Sequence, residues 1–203
     1  MIGVIDYGMG NLHSVEKALS HLGANPQRLS QPSELNGVQA LVLPGVGAFD
    51  PAMERLESTG WVEPLRQWHQ HGKPLLGICL GLQLLFEASA EGQRLGLGLL
   101  KGRVEALPNE PDEQCPHMGW APLLAASPSP LLLTGAAAPW MYFVHSFAAV
   151  PSDPGCITAR APYGRSSVVA AVGSGALQAT QFHPEKSGQE GLALLERWLR
   201  HLP

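Results

Sequence analysis

Gly77-Ile78-Cys79-Leu80-Gly81 is the segment of this chain best suited to covalent chemistry. A nucleophile framed by two glycines has the form of a nucleophile elbow, with cysteine where serine is more usual. Leu75–Ile78 reads as a buried strand and Leu80–Ala90 as the helix after it, so Cys79 falls on a sharp strand-to-helix turn at the C-terminal edge of a sheet. The glycines remove Cβ atoms that would crowd such a turn. Helix N–H groups behind the sulfur favour the thiolate, and the Leu80 N–H is released to bind an oxyanion. Taken alone, the pentapeptide fits a buried structural cysteine equally well.

A cysteine nucleophile needs a base, and His183 in Gln181-Phe182-His183-Pro184-Glu185 is the candidate. Nucleophile and base need only meet in space, so their long separation along the chain is no obstacle. Glu185, two residues on, would lie on the same side of an extended segment and fix the imidazole tautomer. Pro184 keeps that segment out of a helix. By itself His-Pro-Glu is more often a surface loop; beside a cysteine elbow it becomes a triad, Cys79-His183-Glu185. Pro44-Gly45-Val46-Gly47, at the end of a strand over Gln39–Leu43, offers further inward N–H groups for an oxyanion, although most such segments are plain turns. Gln83, one helical turn after Cys79, either faces the same pocket or is an exposed helix residue.

These groups need a frame to hold them. Ile2–Asp6, Gln39–Leu43 and Leu75–Ile78 read as buried strands. Leu12, Val15, Leu19 and Leu22 recur at helical spacing, and a second helical region from about Pro51 to His71 is broken near Gly60 and Pro64. Strands alternating with helices predict an α/β fold with a parallel sheet and right-handed crossovers. From Leu95 to Gln181, frequent Gly and Pro and short runs such as Met141–Val144 and Val168–Val172 predict a more antiparallel extension of that sheet. A last helix carries Leu192, Leu195, Leu199 and Leu202 on one face and opens with a Ser187-x-x-Glu190 capping box. There is no repeat and no long linker, so residues 1–203 are read as one domain.

With 203 residues and a formal net charge of −4, the chain has no basic footprint for nucleic acid, and a small-molecule substrate or a protein partner fits better. No apolar run approaches the ~18 residues of a membrane span, and Met1–Gly8 lacks the charged start of a signal peptide. Three cysteines, Cys79, Cys115 and Cys156, fit a reduced cytoplasm better than a disulfide framework. The eight histidines show no metal-ligand spacing, so neither a metal nor another cofactor is expected.

GICLGLQLLF, PGVGAF and QFHPEKS together resemble the class I (triad-type) glutamine amidotransferases. DYGMGNLHS (Asp6–Ser14), PHMGW (Pro116–Trp120) and YFVHSF (Tyr142–Phe147) narrow the resemblance to the glutaminase subunits of imidazole glycerol phosphate synthase, in histidine biosynthesis. The resemblance implies a flavodoxin-like open sheet with helices on both faces. It implies that Cys79, His183 and Glu185 hydrolyse L-glutamine, with Val46 and Leu80 furnishing the oxyanion hole. Gly47, Gln83, Ser146 and Phe147 would hold the glutamine. Asn11, Trp120, Tyr142 and Lys186 would contact a (β/α)8-barrel cyclase partner in a heterodimer. On residue type alone these four read more plainly, as a helix cap, two core aromatics and a solvated charge. Two positions depart from the family pattern: Ala121 stands where Asn is usual, and Phe147 where Tyr is usual.

Overall fold

The computed structural model of the chain describes residues 1–111, 113–132 and 138–203. The first half alternates strand and helix: β1 (Ile2–Ile5), α1 (Leu12–His21), β2 (Pro26–Leu29), β3 (Ala40–Gly45), α2 (Phe49–Ser58), α3 (Val62–Gln70), β4 (Leu75–Cys79) and the short α4 (Leu80–Gln83). Strands dominate the second half: β5 (Ala88–Ser89), β6 (Gly102–Ala106), β7 (His117–Pro122), β8 (Leu124–Ala125), β9 (Trp140–His145), β10 (Phe147–Pro151), β11 (Ile157–Tyr163), β12 (Ser166–Ser174) and β13 (Leu177–Thr180). Helix α5 (Gly188–Arg200) follows.

The central sheet has the order β2-β1-β3-β4-β13-β12-β11-β8. Its pairs are parallel from β2 across to β13, and antiparallel from β13 to β8. With β13 taken as the fifth parallel strand, the order is the flavodoxin-like one that the family resemblance implies. Every residue of β1, β3, β4 and β13 is buried, as expected of parallel strands covered on both faces. One core layer packs α1 and α5 on the sheet through Leu19, Leu194 and Trp198. The opposite layer packs α2 and α3 through Phe49, Leu56 and Trp68. Two smaller sheets, β10-β6-β5 and the β7-β9 ribbon, flank the central one.

Several elements differ from the sequence reading. The region read as one interrupted helix is two, parted at Gly60; Pro64 lies in the first turn of α3, where no intrahelical N–H is needed. Strand β2 escaped notice because two of its four residues, Gln27 and Arg28, are exposed and polar. The helix after Cys79 ends at Gln83 instead of running on to Ala90. Tertiary pairing overrides it: Leu97 N–H donates to the Leu84 carbonyl at 2.8 Å, and Leu99 and Leu100 donate to that of Leu85 at 2.8 and 3.0 Å. Nor does Ser187 cap α5 with its side chain. Its hydroxyl donates to the His183 carbonyl at 2.6 Å and accepts the Tyr142 N–H at 2.9 Å, so it ties β9 to the segment after β13.

The β4–α4 turn is built by close backbone approach. A Cβ on Gly81 would stand 1.9 Å from the Leu43 carbonyl oxygen, and one on Gly77 would stand 3.0 Å from the Gly81 carbonyl oxygen. The turn therefore packs directly on β3, and the obstacle at Gly81 is backbone that cannot swing away. Gly81→Ala is expected to destabilise the chain by about 2 kcal/mol, lowering Tm by roughly 4–8 °C in a thermal melt.

Candidate active site

At the end of β4 the backbone of Cys79 adopts φ 56°, ψ −110°, and among the described residues it alone has positive φ without being glycine. Strain of this kind persists only where the surroundings impose it. Here Gly45 of β3 pairs with Cys79 on one side. On the other side β13 runs in register with β4, Thr180 opposite Ile78, so the residues following β13 arrive beside the sulfur. Strand order thus closes the long separation in the chain between Cys79 and His183.

Two residues past Gln181, the His183 N–H donates to the Tyr142 carbonyl at 3.0 Å, which fixes the backbone. Its Nδ1 lies 2.7 Å from Glu185 Oε1, with side chains only 2% and 1% exposed, so water does not screen the pair. Glu185 reaches the imidazole from a 3-10 turn over Pro184–Lys186, and not by alternation along an extended segment. Burial by itself disfavours the imidazolium. Hydrogen bonding and charge interaction with Cys79 and Glu185 outweigh burial and raise the His183 pKa from 6.5 to about 9. Nε2 is buried without a completed hydrogen bond; it belongs to a residue that lines the same cavity as Cys79, whose charge helps hold the imidazole proton. Because α4 is a single turn, the helix dipole behind Cys79 is slight.

A cavity of about 360 Å³ opens above the sulfur. Val46, Gly47, Leu80, Gln83, Ser146 and Phe147, singled out from the sequence, all line it together with Cys79 and His183. Glu185 does not line the cavity; it meets the imidazole from behind, at Nδ1. Gln83 is 5% exposed, so it is not a solvated helix residue. Its Nε2 donates to the Phe147 carbonyl and to Gln181 Oε1, both at 3.0 Å, which leaves only Oε1 to face a ligand.

Four neighbours were not read as site residues. Glu91 lines the cavity and accepts the Phe49 N–H at 2.9 Å; a single acidic residue in a polar turn carries no sequence signal. His145 also lines it, with Nδ1 2.8 Å from the Phe147 carbonyl and Nε2 3.1 Å from His117 Nδ1. Burial lowers its pKa to about 4, the Phe147 carbonyl opposing and the other two imidazoles adding, so it is neutral where His183 is charged. Tyr7, buried beneath the Pro44–Gly47 segment, donates its hydroxyl to the Pro44 carbonyl at 3.0 Å. Burial, with the Cys79 charge second, holds that hydroxyl protonated. Gln181 is fully buried.

The four residues assigned to a partner do not take their plain readings together. Trp120 and Tyr142 pair across β7 and β9 with rings edge-on at 6.1 Å, and Trp120 is 52% exposed, so it is no core aromatic. Met118 and Trp140 are exposed on the same ribbon. Asn11 stands at the start of α1 without a side-chain cap bond. Lys186 is exposed. Ala121 is buried on the inner face, opposite Met141, away from the exposed aromatic pair. Among the described residues no cluster of three or more His, Cys, Asp and Glu is arranged to hold a metal, and no helix is long and apolar enough to cross a membrane.

A strained cysteine in a cleft at the end of a parallel strand, with a buried His–Glu pair, is a thiol amidohydrolase arrangement. The chain belongs to the glutamine amidotransferase class-I family, which it matches over residues 3–202. It is 57% identical over 198 residues, 98% of this chain and 93% of the relative, to imidazole glycerol phosphate synthase subunit HisH 2 of Parasynechococcus marenigrum (strain WH8102). It is 55% identical over 201 residues to imidazole glycerol phosphate synthase subunit HisH of Synechococcus sp. (strain CC9902), covering 99% of this chain and 94% of that one. A solved glutamine amidotransferase superposes with a TM-score of 0.77 at 21% identity, covering 98% of this chain and 97% of its own. PurLQS from Thermotoga maritima does so at 0.75 and 19%, with the same coverage. At these identities the two structures bear on the fold alone.

The pKa of His183 fixes the sign of one pH effect. If its imidazolium serves as proton donor to a departing amine, that donor is lost as pH rises through about 9. A kcat/KM profile for amide hydrolysis is expected to fall with an alkaline limb near that pH.

Proposed function

We propose that this chain is the glutaminase subunit of an imidazole glycerol phosphate synthase, hydrolysing L-glutamine and passing ammonia to a cyclase subunit. The identity to HisH relatives over nearly the whole chain supports the biochemical assignment. The observation that carries the chemistry is Cys79, held at positive φ in one cavity with His183, whose Nδ1 is 2.7 Å from Glu185.

The Cys79 thiolate attacks the carboxamide carbon, and the tetrahedral oxyanion accepts hydrogen bonds from the N–H groups of Leu80 and Val46. The His183 imidazolium gives its proton to the departing nitrogen. The C–N bond breaks, ammonia leaves, and a γ-glutamyl thioester remains. Neutral His183 then takes a proton from water as the water attacks, and collapse expels the thiolate and glutamate. Glu91 supplies the cavity carboxylate for the substrate ammonium group. The Oε1 of Gln83 accepts from the substrate carboxamide, which distinguishes glutamine from glutamate. Gly47 and the Ser146–Phe147 backbone complete the pocket.

Ammonia released into neutral water is protonated and no longer nucleophilic, so it must travel a shielded path. The partner, with the (β/α)8-barrel fold, would seat on the apolar outer face of the β7-β9 ribbon, flanked by Asn11 and Lys186. Coupling hydrolysis to acceptor requires low activity in the free chain and activation in the complex, with the Pro44–Gly47 segment as the adjustable part. Three free cysteines, one of them exposed, accord with residence in a reducing cytoplasm.

Glutamate release measured with and without the cyclase and its nucleotide-like substrate tests this reading. Cys79→Ala should lose glutamine-dependent turnover by on the order of a thousandfold or more, while its complex still forms product from added ammonia. Equal glutaminase rates with and without the cyclase would refute the activation. Trp120→Ala should weaken the complex by roughly 2 kcal/mol, about thirtyfold in Kd by calorimetry.

A further inference from the structure

A glutamine with no solvent exposure must spend its polar atoms inside the protein. Gln181 follows β13 directly, and its N–H is fixed by the Ala170 carbonyl at 2.8 Å. Its Oε1 accepts from Gln83 at 3.0 Å, and its Nε2 points at the Cys79 sulfur, 3.8 Å away. It does not line the substrate cavity. Among the described residues the sulfur is the one acceptor that its amide nitrogen meets.

The orientation of this amide follows from a backbone group. The Phe147 carbonyl can only accept, so the Gln83 atom 3.0 Å from it must be nitrogen. The second hydrogen of that nitrogen lies toward Gln181, which must answer with its oxygen. Gln181 is thereby left with its NH2 group toward the sulfur. His145 reinforces the same polarity by presenting its Nδ1 to the second lone pair of the Phe147 carbonyl at 2.8 Å. A flipped Gln181 would set its nitrogen against that of Gln83.

We propose that Gln181 is a catalytic residue that donates its amide N–H to the Cys79 thiolate, with its orientation dictated from the Phe147 carbonyl through Gln83. This rests on Cys79 being the nucleophile. The sulfur then has the Gln181 amide as its hydrogen-bond donor and the His183 imidazolium beside it in the same cavity, an arrangement that suits a sulfur anion. The same donor meets the sulfur again when the thioester collapses and thiolate is the leaving group. Because Gln181 is screened from the cavity, its effect falls on chemistry and not on glutamine binding.

Gln181→Met keeps the length of the side chain and removes the donor. Peptide-resolved alkylation by iodoacetamide separates Cys79 from the exposed Cys115. At pH 6.5 the Cys79 rate in the variant is expected to fall about tenfold, the loss of one hydrogen bond to a charged group. In the complex kcat for glutamine should drop by a similar factor, with KM within about twofold. The other titratable groups near the sulfur, His183 with its partner Glu185 and Tyr7, are untouched by the substitution. A folded variant, judged by near-ultraviolet circular dichroism, that alkylates at the wild-type rate overturns the proposal. If the variant does not fold, the side-chain amide resonance of Gln181 in the wild-type chain decides: a shift that follows sulfur ionisation supports the donor role, and a constant shift overturns it. Glutamine turnover that survives in Cys79→Ala would instead overturn the functional reading itself.

Discussion

The site depends on a backbone conformation that Cys79 would not adopt unaided. Residues held in such sparsely populated regions cost of order 1–3 kcal/mol, and the sheet imposes the strain. β3 pairs with β4 up to Gly45 and Cys79, and the missing Cβ of Gly81 lets the turn rest on the Leu43 carbonyl. This lifts the sulfur out of the strand plane, over the C-terminal edge of the parallel strands, where open α/β sheets bind their ligands. Conformational stability and chemical competence are therefore coupled at one residue. A looser turn would relieve the strain and lose the nucleophile's aim.

Around that turn the electrostatics are arranged by burial. Two imidazoles line one cavity, one charged and one neutral. His183 holds its proton because the sulfur and the Glu185 carboxylate repay its desolvation, whereas His145, backed by a backbone carbonyl and a second imidazole, is driven neutral. Neutral His145 adds no charge to compete with the imidazolium. It also braces the Phe147 carbonyl, which Gln83 meets from the other side. The walls of the pocket and the polarity of its amides share one anchor.

The ribbon of β7 and β9 connects this interior to the surface. Inward it presents His145 and Phe143 to the site and core; outward it presents Trp120 and Tyr142. Ser187 binds the Tyr142 N–H and the His183 carbonyl together. A partner seated on the aromatic face would therefore bear on a strand that is hydrogen-bonded to the segment carrying His183.

Much of this was legible in the residues. The glycine-framed Cys79, the His183-Pro184-Glu185 run and the alternation of apolar strands with helices report local geometry, and local geometry is written in neighbouring residues. The sequence could not set the end of α4, because the carbonyls of Leu84 and Leu85 are claimed by N–H groups more than a dozen residues further on. It misread Ser187 for the same reason: a hydroxyl with two partners from other elements does not act as a cap. Glu91 carried no pattern at all, and Gln181, although it opens the QFHPEKS run, carried no role of its own, since a single polar residue acquires a role only from what surrounds it. Sequence determined which groups were capable of the chemistry. The order β4-β13 decided that they meet, because only a sheet brings residue 183 beside residue 79 and excludes the water that would otherwise screen them.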